Sequence, residues 1–366
     1  MATTGRIRVG IVGASPKRGF ATLAHIPALR ALPEFEIAAV CTSNQDSADA
    51  AARHFGVPLA FADPESLARH PDIDLVTVSV KAPDHYRPVM AAIEAGKHVY
   101  CEWPLGRTTA EAVRMLAAAE RKGVRHAVGL QGQVSPAINY LKDLIAENYV
   151  GRVLSATMVG CAPNWGATLD GAYQADFGNG ANLLTVTGGH TLDALCYCLG
   201  EFSALSAFVV SQRDRIAIEG TGEIVPKTSP DQLAVSGILG DGAVASCQIR
   251  GGVTRGIAFL LEIHGDSGDL VLAATSRASM QRQELTVHGA QRSAPLAALP
   301  IPDKYRWVPK ETPEGTPYNV AQLYVKLAES IRSGKPSHPG FDAAVTRHRL
   351  LDMIVRASET GRKQPA

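Results

Sequence analysis

The sequence lacks the features that would tie it to a membrane, a nucleic acid or an oxidising compartment. No apolar stretch approaches the ~20 residues of a spanning helix. Lys and Arg never run beyond two in a row and the formal net charge is +1, so neither a nucleic-acid surface nor an anionic membrane is indicated. Six cysteines, at 41, 101, 161, 196, 198 and 247, include no CxxC pair. That argues for core thiols rather than disulfides or a metal site, and no metal is expected. The opening residues, Met-Ala-Thr-Thr-Gly-Arg-Ile-Arg, have no apolar signal core, and a cytoplasmic location is expected. Internal repeats and low-complexity linkers are also missing. What is present is a balanced composition, 46% hydrophobic and 19% charged over 366 residues, which reads as a globular protein of two domains.

The first third alternates strands and helices. Ile7 to Val12 is a short apolar run. Gly13-Ala-Ser-Pro-Lys-Arg-Gly19 follows, then a helical stretch through Ala21, Leu23, Ile26 and Leu29. A strand, a glycine-marked turn and a helix N-terminus can hold a pyrophosphate on backbone N–H groups. The loop departs from G-x-G-x-x-G, because Ser15 takes the second glycine position and Gly19 closes the loop late. Further strands are expected at Phe35 to Val40, Ile73 to Val80, His98 to Cys101 and Arg125 to Val128. Helices are expected over Gln45 to His54 and His85 to Ala95, with a capping box of Thr108 and Glu111 opening the next. This alternation predicts a parallel, doubly wound sheet.

The end of the second strand bears on the cofactor. An acid there holds the ribose 2′-hydroxyl in many NAD enzymes. Here the residues are Cys41, Thr42, Ser43 and Asn44, and no acid stands among them. Lys17 and Arg18 in the neighbouring loop offer positive charge for a 2′-phosphate. NADP is therefore expected, with NAD as the alternative. From residue 152 onward the pattern changes to successive strands, at Arg152 to Gly160, Phe202 to Val210, Gln232 to Leu239, Ala243 to Arg250, Ala258 to Gly265, Asp269 to Leu272 and Glu284 to His288. Such a run predicts an α+β second domain. The boundaries expected are 1–130 and 131–366, with the C-terminal helices free to pack back on the first domain. Thr312 to Tyr318 reads as a surface loop before those helices.

Particular stretches resemble the Gfo/Idh/MocA family of oxidoreductases: Val9-Gly-Ile-Val-Gly13, Ala95-Gly-Lys-His-Val-Tyr-Cys-Glu-Trp-Pro-Leu105, Gly188-Gly-His-Thr-Leu-Asp193 and Asn319 to Gly361. The variant Glu102-Trp103-Pro104, with Leu130-Gln-Gly132, most resembles a sub-branch that contains the fungal galactose-regulon repressor. The resemblance implies a Rossmann domain followed by a large open, mostly antiparallel sheet, and a homodimer or homotetramer. It implies cofactor contacts from Gly13, Ser15, Lys17, Arg18, Gly19, Thr42, Ser43, Lys81, His85, Glu102, Trp103, Pro104 and Gln131. It also implies a small polyhydroxylated substrate, a sugar or a polyol.

Two departures from the family pattern concern proton chemistry. The family keeps a lysine between the glutamate and the proline, where this chain has Trp103. The family's aspartate-x-glycine-x-histidine reads here as Val186 followed by His190. Indole has one weak donor and no charge, so it cannot stabilise a developing alkoxide as lysine does. Histidine alone can still take a hydroxyl proton. His190 is therefore the expected base, with Asp193, Asp176 and Tyr173 as candidates to complete the proton path. Gln131, Gln133, Asn164, Asn179 and Asn182 are candidates to read substrate hydroxyls. The function expected is an NAD(P)-dependent oxidoreductase. The alternatives are a catalytically silent nucleotide-binding regulator and a lyase or epimerase that uses its cofactor transiently.

Overall fold

The computed structural model describes residues 5–162, 166–252 and 256–366, which form two compact units. Of the described residues, those within 1–131 and 307–346 make up the first, and those within 132–306 and 347–366 the second.

In the first unit six strands run in order: β1 (Ile7–Val12), β2 (Phe35–Cys41), β3 (Leu59–Phe61), β4 (Leu75–Val78), β5 (His98–Cys101) and β6 (His126–Val128). They pair in the order β3-β2-β1-β4-β5-β6, all parallel. The strands are buried on both faces, as Ile7, Val9, Ile11, Leu75, Val76 and Val99 attest at 0% exposure. Parallel sheets need this cover, because crossover helices lie on each side. Strand order reverses between β1 and β4, which opens a crevice at their C-terminal ends. β3 is too short to register as a pattern in the sequence. The expected strand from Ile73 to Val80 is β4, Leu75–Val78; Asp74 just before it still pairs through its backbone with Arg8 O and the His98 N–H, while its carboxylate clasps the Arg8 guanidinium at 2.9 and 3.0 Å.

The helix after β1 differs from the expected phase. Its first turn, Ala21–His25, is a π-helix that runs straight into the α-helix Ile26–Ala31. The wider turn shifts the buried face. Ala21, Ala24, His25 and Ile26 face inward, while Leu23 is 49% exposed. At the helix Thr109–Lys122, Thr108 caps the Glu111 N–H, but the Glu111 carboxylate accepts from the Arg107 N–H and guanidinium rather than closing a capping box.

The second unit is built on β7 (Val153–Ala162), β8 (Phe202–Val210), β9 (Arg215–Ala217), β10 (Ile224–Pro226), β11 (Gln232–Leu239), β12 (Val244–Gly251), β13 (Phe259–Gly265), β14 (Gly268–Ala274), β15 (Leu285–Gln291), β16 (Ala297–Ala298) and β17 (Gln364–Pro365). Nine of these form one sheet in the order β16-β15-β14-β13-β7-β12-β11-β8-β17. Every pair is antiparallel except β7 with β12. β9 and β10 make a separate hairpin that the sequence pattern did not announce. One sheet face buries Ala156, Met158, Leu233, Val235, Cys247, Ile249, Leu261 and Ile263, at 3% exposure or less. The helices Pro136–Ala146 and Gly189–Leu199 pack against each other in this unit. Among the C-terminal helices, Thr316–Ser333 starts within the segment expected to be a loop, with Pro317 pre-set for its first turn.

Candidate functional site

The cradle of the first unit follows from Gly13. Its φ of +100° suits glycine, and a Cβ there would sit 2.5 Å from the Ser79 carbonyl oxygen. Its N–H donates to Cys41 O at 2.9 Å, which fixes the turn against the end of β2. Gly19, also at +100°, has only the Gly13 carbonyl oxygen within 4 Å of a notional Cβ. Between them Ser15 is partly buried, and Lys17 and Arg18 are exposed. Thr42 Oγ1 meets Ser47 Oγ at 2.6 Å at the start of the next helix, and Ser43 is exposed beside it. These residues fit a dinucleotide: a tight turn without side-chain bulk, a helix start beyond it, and hydroxyls at the β2 end.

Glu102, Trp103 and Pro104 follow β5 on the same edge of the sheet, since Glu102 N–H donates to Val78 O at the end of β4. The Trp103–Pro104 peptide is cis. His85 braces this turn: Nδ1 lies 2.8 Å from Pro104 O and Nε2 3.1 Å from Val80 O. A neutral imidazole donates from one nitrogen only. Burial lowers the His85 pKa, against the opposing pull of the two carbonyls. With 1% exposure and both nitrogens on backbone, His85 shapes the turn from behind. Lys81, before it, is exposed and stands at the N-cap position of the short 3-10 turn Ala82–Asp84 without a side-chain cap. Trp103 itself is 5% exposed.

Glu102 is gripped from below. Gln131 Nε2 lies 3.1 and 3.0 Å from its two oxygens and 3.3 Å from Tyr100 Oη. His25 Nε2 lies 3.1 Å from Glu102 Oε1, close enough for a charge contact but off the line that a hydrogen bond needs. His25 Nδ1 meets Tyr324 Oη at 2.9 Å, and Tyr324 Oη meets Thr77 Oγ1 at 2.8 Å. The rings of His25, Tyr100 and Tyr324 pack edge to face or tilted. Burial raises both tyrosine pKa values well above normal. His25 and Tyr324 escaped the sequence reading. His25 lies in an apolar run whose π-turn disguises its face, and Tyr324 comes from a helix about 300 residues away.

In the second unit His190 lies in the first turn of the helix Gly189–Leu199, which a π-segment, Leu183–Gly188, precedes without a break. Asn182 and Thr185 cap that segment reciprocally: Asn182 Oδ1 accepts from Thr185 N–H and Leu184 N–H, and Thr185 Oγ1 accepts from Asn182 N–H at 2.8 Å. Such π-segments recur at functional sites. His190 is 5% exposed.

Asp193, one helical turn on, is 1% exposed and taken up within the fold. Gln133 Nε2 donates to its two oxygens at 2.9 and 3.1 Å, and Arg347 Nε donates at 3.2 Å. Arg347 also reaches Glu201 at 3.1 and 2.9 Å. Burial pushes Asp193 up to about 6, although Arg347 and Gln133 favour the charged form. Asp176 is exposed and caps a 3-10 turn, accepting from Gly178 N–H at 2.9 Å. Tyr173 is half-buried in the preceding turn, and its carbonyl accepts from Asn179 Nδ2 at 2.7 Å. The expected proton path through Asp193 or Asp176 therefore meets two carboxylates already engaged with the fold. Asn164 lies outside the described residues. Among the described residues no group of three or more His, Cys, Asp or Glu is placed to hold a metal, and all six thiols are free.

Comparison with known proteins places the chain. A dehydrogenase from Aspergillus oryzae, aclE, is 32% identical over 381 residues, covering 97% of this chain and 97% of that protein. The chain belongs to the Gfo/Idh/MocA oxidoreductase family. The family model described as "Oxidoreductase family, NAD-binding Rossmann fold" matches residues 7–130, and that for "Gal80p, C-terminal domain" matches 136–274. The galactose/lactose metabolism regulatory protein GAL80 of Saccharomyces cerevisiae is 33% identical over 73% of this chain and 66% of its own length. A solved levoglucosan dehydrogenase in complex with NADH and L-sorbose superposes with a TM-score of 0.84 at 25% identity, covering 98% of each chain. The family assignment makes the first unit an NAD-binding Rossmann domain. It also accounts for the second, large, mostly antiparallel sheet.

Proposed function

We propose that this member of the family is an NAD(P)-dependent dehydrogenase acting on a hydroxyl or carbonyl of a small polyhydroxylated molecule, a sugar or a polyol. The observation that carries the reading is His190. Of the three proton-handling positions that the family resemblance implies, it alone is kept, on a π-initiated helix. Bound NAD(P) supplies the hydride acceptor. His190 takes the hydroxyl proton as the carbinol is oxidised, and returns it in the reverse direction. The full-length similarity to a dehydrogenase supports the reading. The levoglucosan dehydrogenase likeness supports a sugar-like substrate.

Gly13, Ser15 and Gly19 would hold the pyrophosphate, and Thr42 and Ser43 the adenosine ribose. With no acid at the end of β2 and with Lys17 and Arg18 exposed nearby, NADP is favoured over NAD. The open sheet face supports a homodimer or homotetramer. Across five strands it lines up Ser206, Ser236, Ser246, Thr157 and Glu262, with Phe208 71% exposed beside them. The short Ser and Thr side chains in this row leave a low surface on which a second sheet can pack, with Phe208 as an exposed apolar anchor. A cytoplasmic location fits the same reading, and no described helix is long and apolar enough to cross a membrane.

The second reading is a catalytically silent regulator, favoured by Trp103 and Val186 at positions where the family carries lysine and aspartate, and by the likeness to GAL80. One assay separates them: turnover with NAD⁺ and NADP⁺ against sugars and polyols, for the native chain, His190→Ala and Trp103→Lys. A dehydrogenase turns over, and His190→Ala costs about 10²–10⁴-fold. Cofactor binding without native turnover, with activity gained in Trp103→Lys, selects the regulator.

A further inference from the structure

The line Thr77–Tyr324–His25–Glu102 is buried, polar and ends on a carboxylate at the cofactor edge. A carboxylate only accepts, so Nε2 of His25 faces it as N–H. Nδ1 is then a lone pair that accepts from the Tyr324 hydroxyl, and the Tyr324 oxygen accepts from Thr77. From another side Gln131 donates toward both Glu102 oxygens. Behind the carboxylate stands Gly129, where a Cβ would lie 2.6 Å from Oε2. The Gln131 donor, the close approach of His25 and the missing side chain at Gly129 thus confine the carboxylate to one orientation.

The group is fixed but not sealed. The Glu102 side chain keeps 13% of its surface exposed, while His25 keeps none. Its position gives that exposure meaning. In a doubly wound sheet the pyrophosphate sits at the turn after β1 and the adenosine half toward β2, so the nicotinamide half extends over the ends of β4 and β5. Glu102 is the first residue past β5. The oxidised nicotinamide ring carries a positive charge and the reduced ring carries none. A fixed negative charge at that edge distinguishes the two forms, whatever their common ribose and phosphate contacts contribute.

We propose that Glu102, held by Gln131 and faced by His25 Nε2 at 3.1 Å, makes the first unit prefer the oxidised dinucleotide over the reduced one. His25 and Tyr324 act as positioning residues. The inference rests on the reading that this chain binds NAD(P). It adds to that reading a selectivity between redox states and the residues that set it.

The test compares dissociation constants for the oxidised and reduced dinucleotide on the full chain, by calorimetry and by the fluorescence of the reduced form. The quantity read is the ratio of the two constants, which a general loosening of the site leaves alone. The native chain should favour the oxidised form. Glu102→Gln should weaken oxidised binding about tenfold more than reduced binding, as expected for a unit charge near a protein surface. His25→Gln should shift the ratio in the same direction by a smaller factor. Tyr324→Phe, which removes one hydroxyl and keeps the ring, should shift it less again. Equal losses for both forms in Glu102→Gln would overturn the selectivity while leaving the dinucleotide reading intact. A native ratio retained in His25→Gln would remove His25 from the device. Failure of the native chain to bind either form would sink the dinucleotide reading, and this inference with it.

Discussion

Glu102 and Asp193 are each gripped by a glutamine from the same three-residue segment, Gln131-Gly132-Gln133, at which the chain passes from one unit to the other. Gln131 holds Glu102 in the first unit and Gln133 holds Asp193 in the second, with N–O distances of 2.9 to 3.1 Å throughout. The local chemistry is nearly the same, and the outcome is opposite. Glu102 stays partly exposed at the open ends of the parallel strands. Asp193 is closed off behind Arg347, and burial drives its pKa up. A carboxylate's residue type and its grip do not tell its role. Access to solvent or ligand does, and the fold sets that access.

The comparison breaks most severely at Arg347. Arg347→Met leaves Asp193 and Glu201 without their cation. Removing one partner of a buried pair costs about 3–5 kcal/mol. Urea denaturation should show a loss of that size, and a loss below ~1 kcal/mol would mean that Asp193 is not sealed.

A pH series on Asp193→Asn sharpens the same point. The folded pKa of about 6 lies above the ordinary 3.8. The carboxyl's contribution to stability is therefore fully present below pH ~4 and is lost as pH rises through about 6, up to about 3 kcal/mol in all. The native chain's advantage over Asp193→Asn should shrink from pH 4 to pH 7. An advantage that grows with pH would mean that pairing with Arg347 outweighs burial.

The smallest effect separates the two glutamines. Gln133→Leu should cost about 1–3 kcal/mol, because a buried carboxylate loses its donor. Gln131→Leu should cost under ~1 kcal/mol of stability, because water can replace its bond to Glu102, and the loss should instead appear in cofactor binding. Equal destabilisation by both would erase the contrast.

Much of this was legible in the residues. Apolar runs at strand length, separated by helices, predicted the parallel sheet, because backbone pairing and period are local properties. Gly13 marked the turn because a residue at φ near +100° with a carbonyl 2.5 Å from its missing Cβ leaves little alternative to glycine. Trp103 and Val186 marked the departures by position alone. Three-residue strands such as β3, β9 and β10 carry too few side chains to make a pattern. The π-turn at Ala21–His25 shifted a helix face that an ordinary period placed wrongly.

The sequence by itself determined the two architectures, the cradle and the histidine that outlasts its partners, since each depends on residues near one another in the chain. Only the tertiary structure decided which acids are sealed and which face the crevice. It brought Tyr324 to His25 and Arg347 to Asp193 across about 300 and 154 residues. Burial and pairing at that separation arise from packing, and no local pattern encodes them.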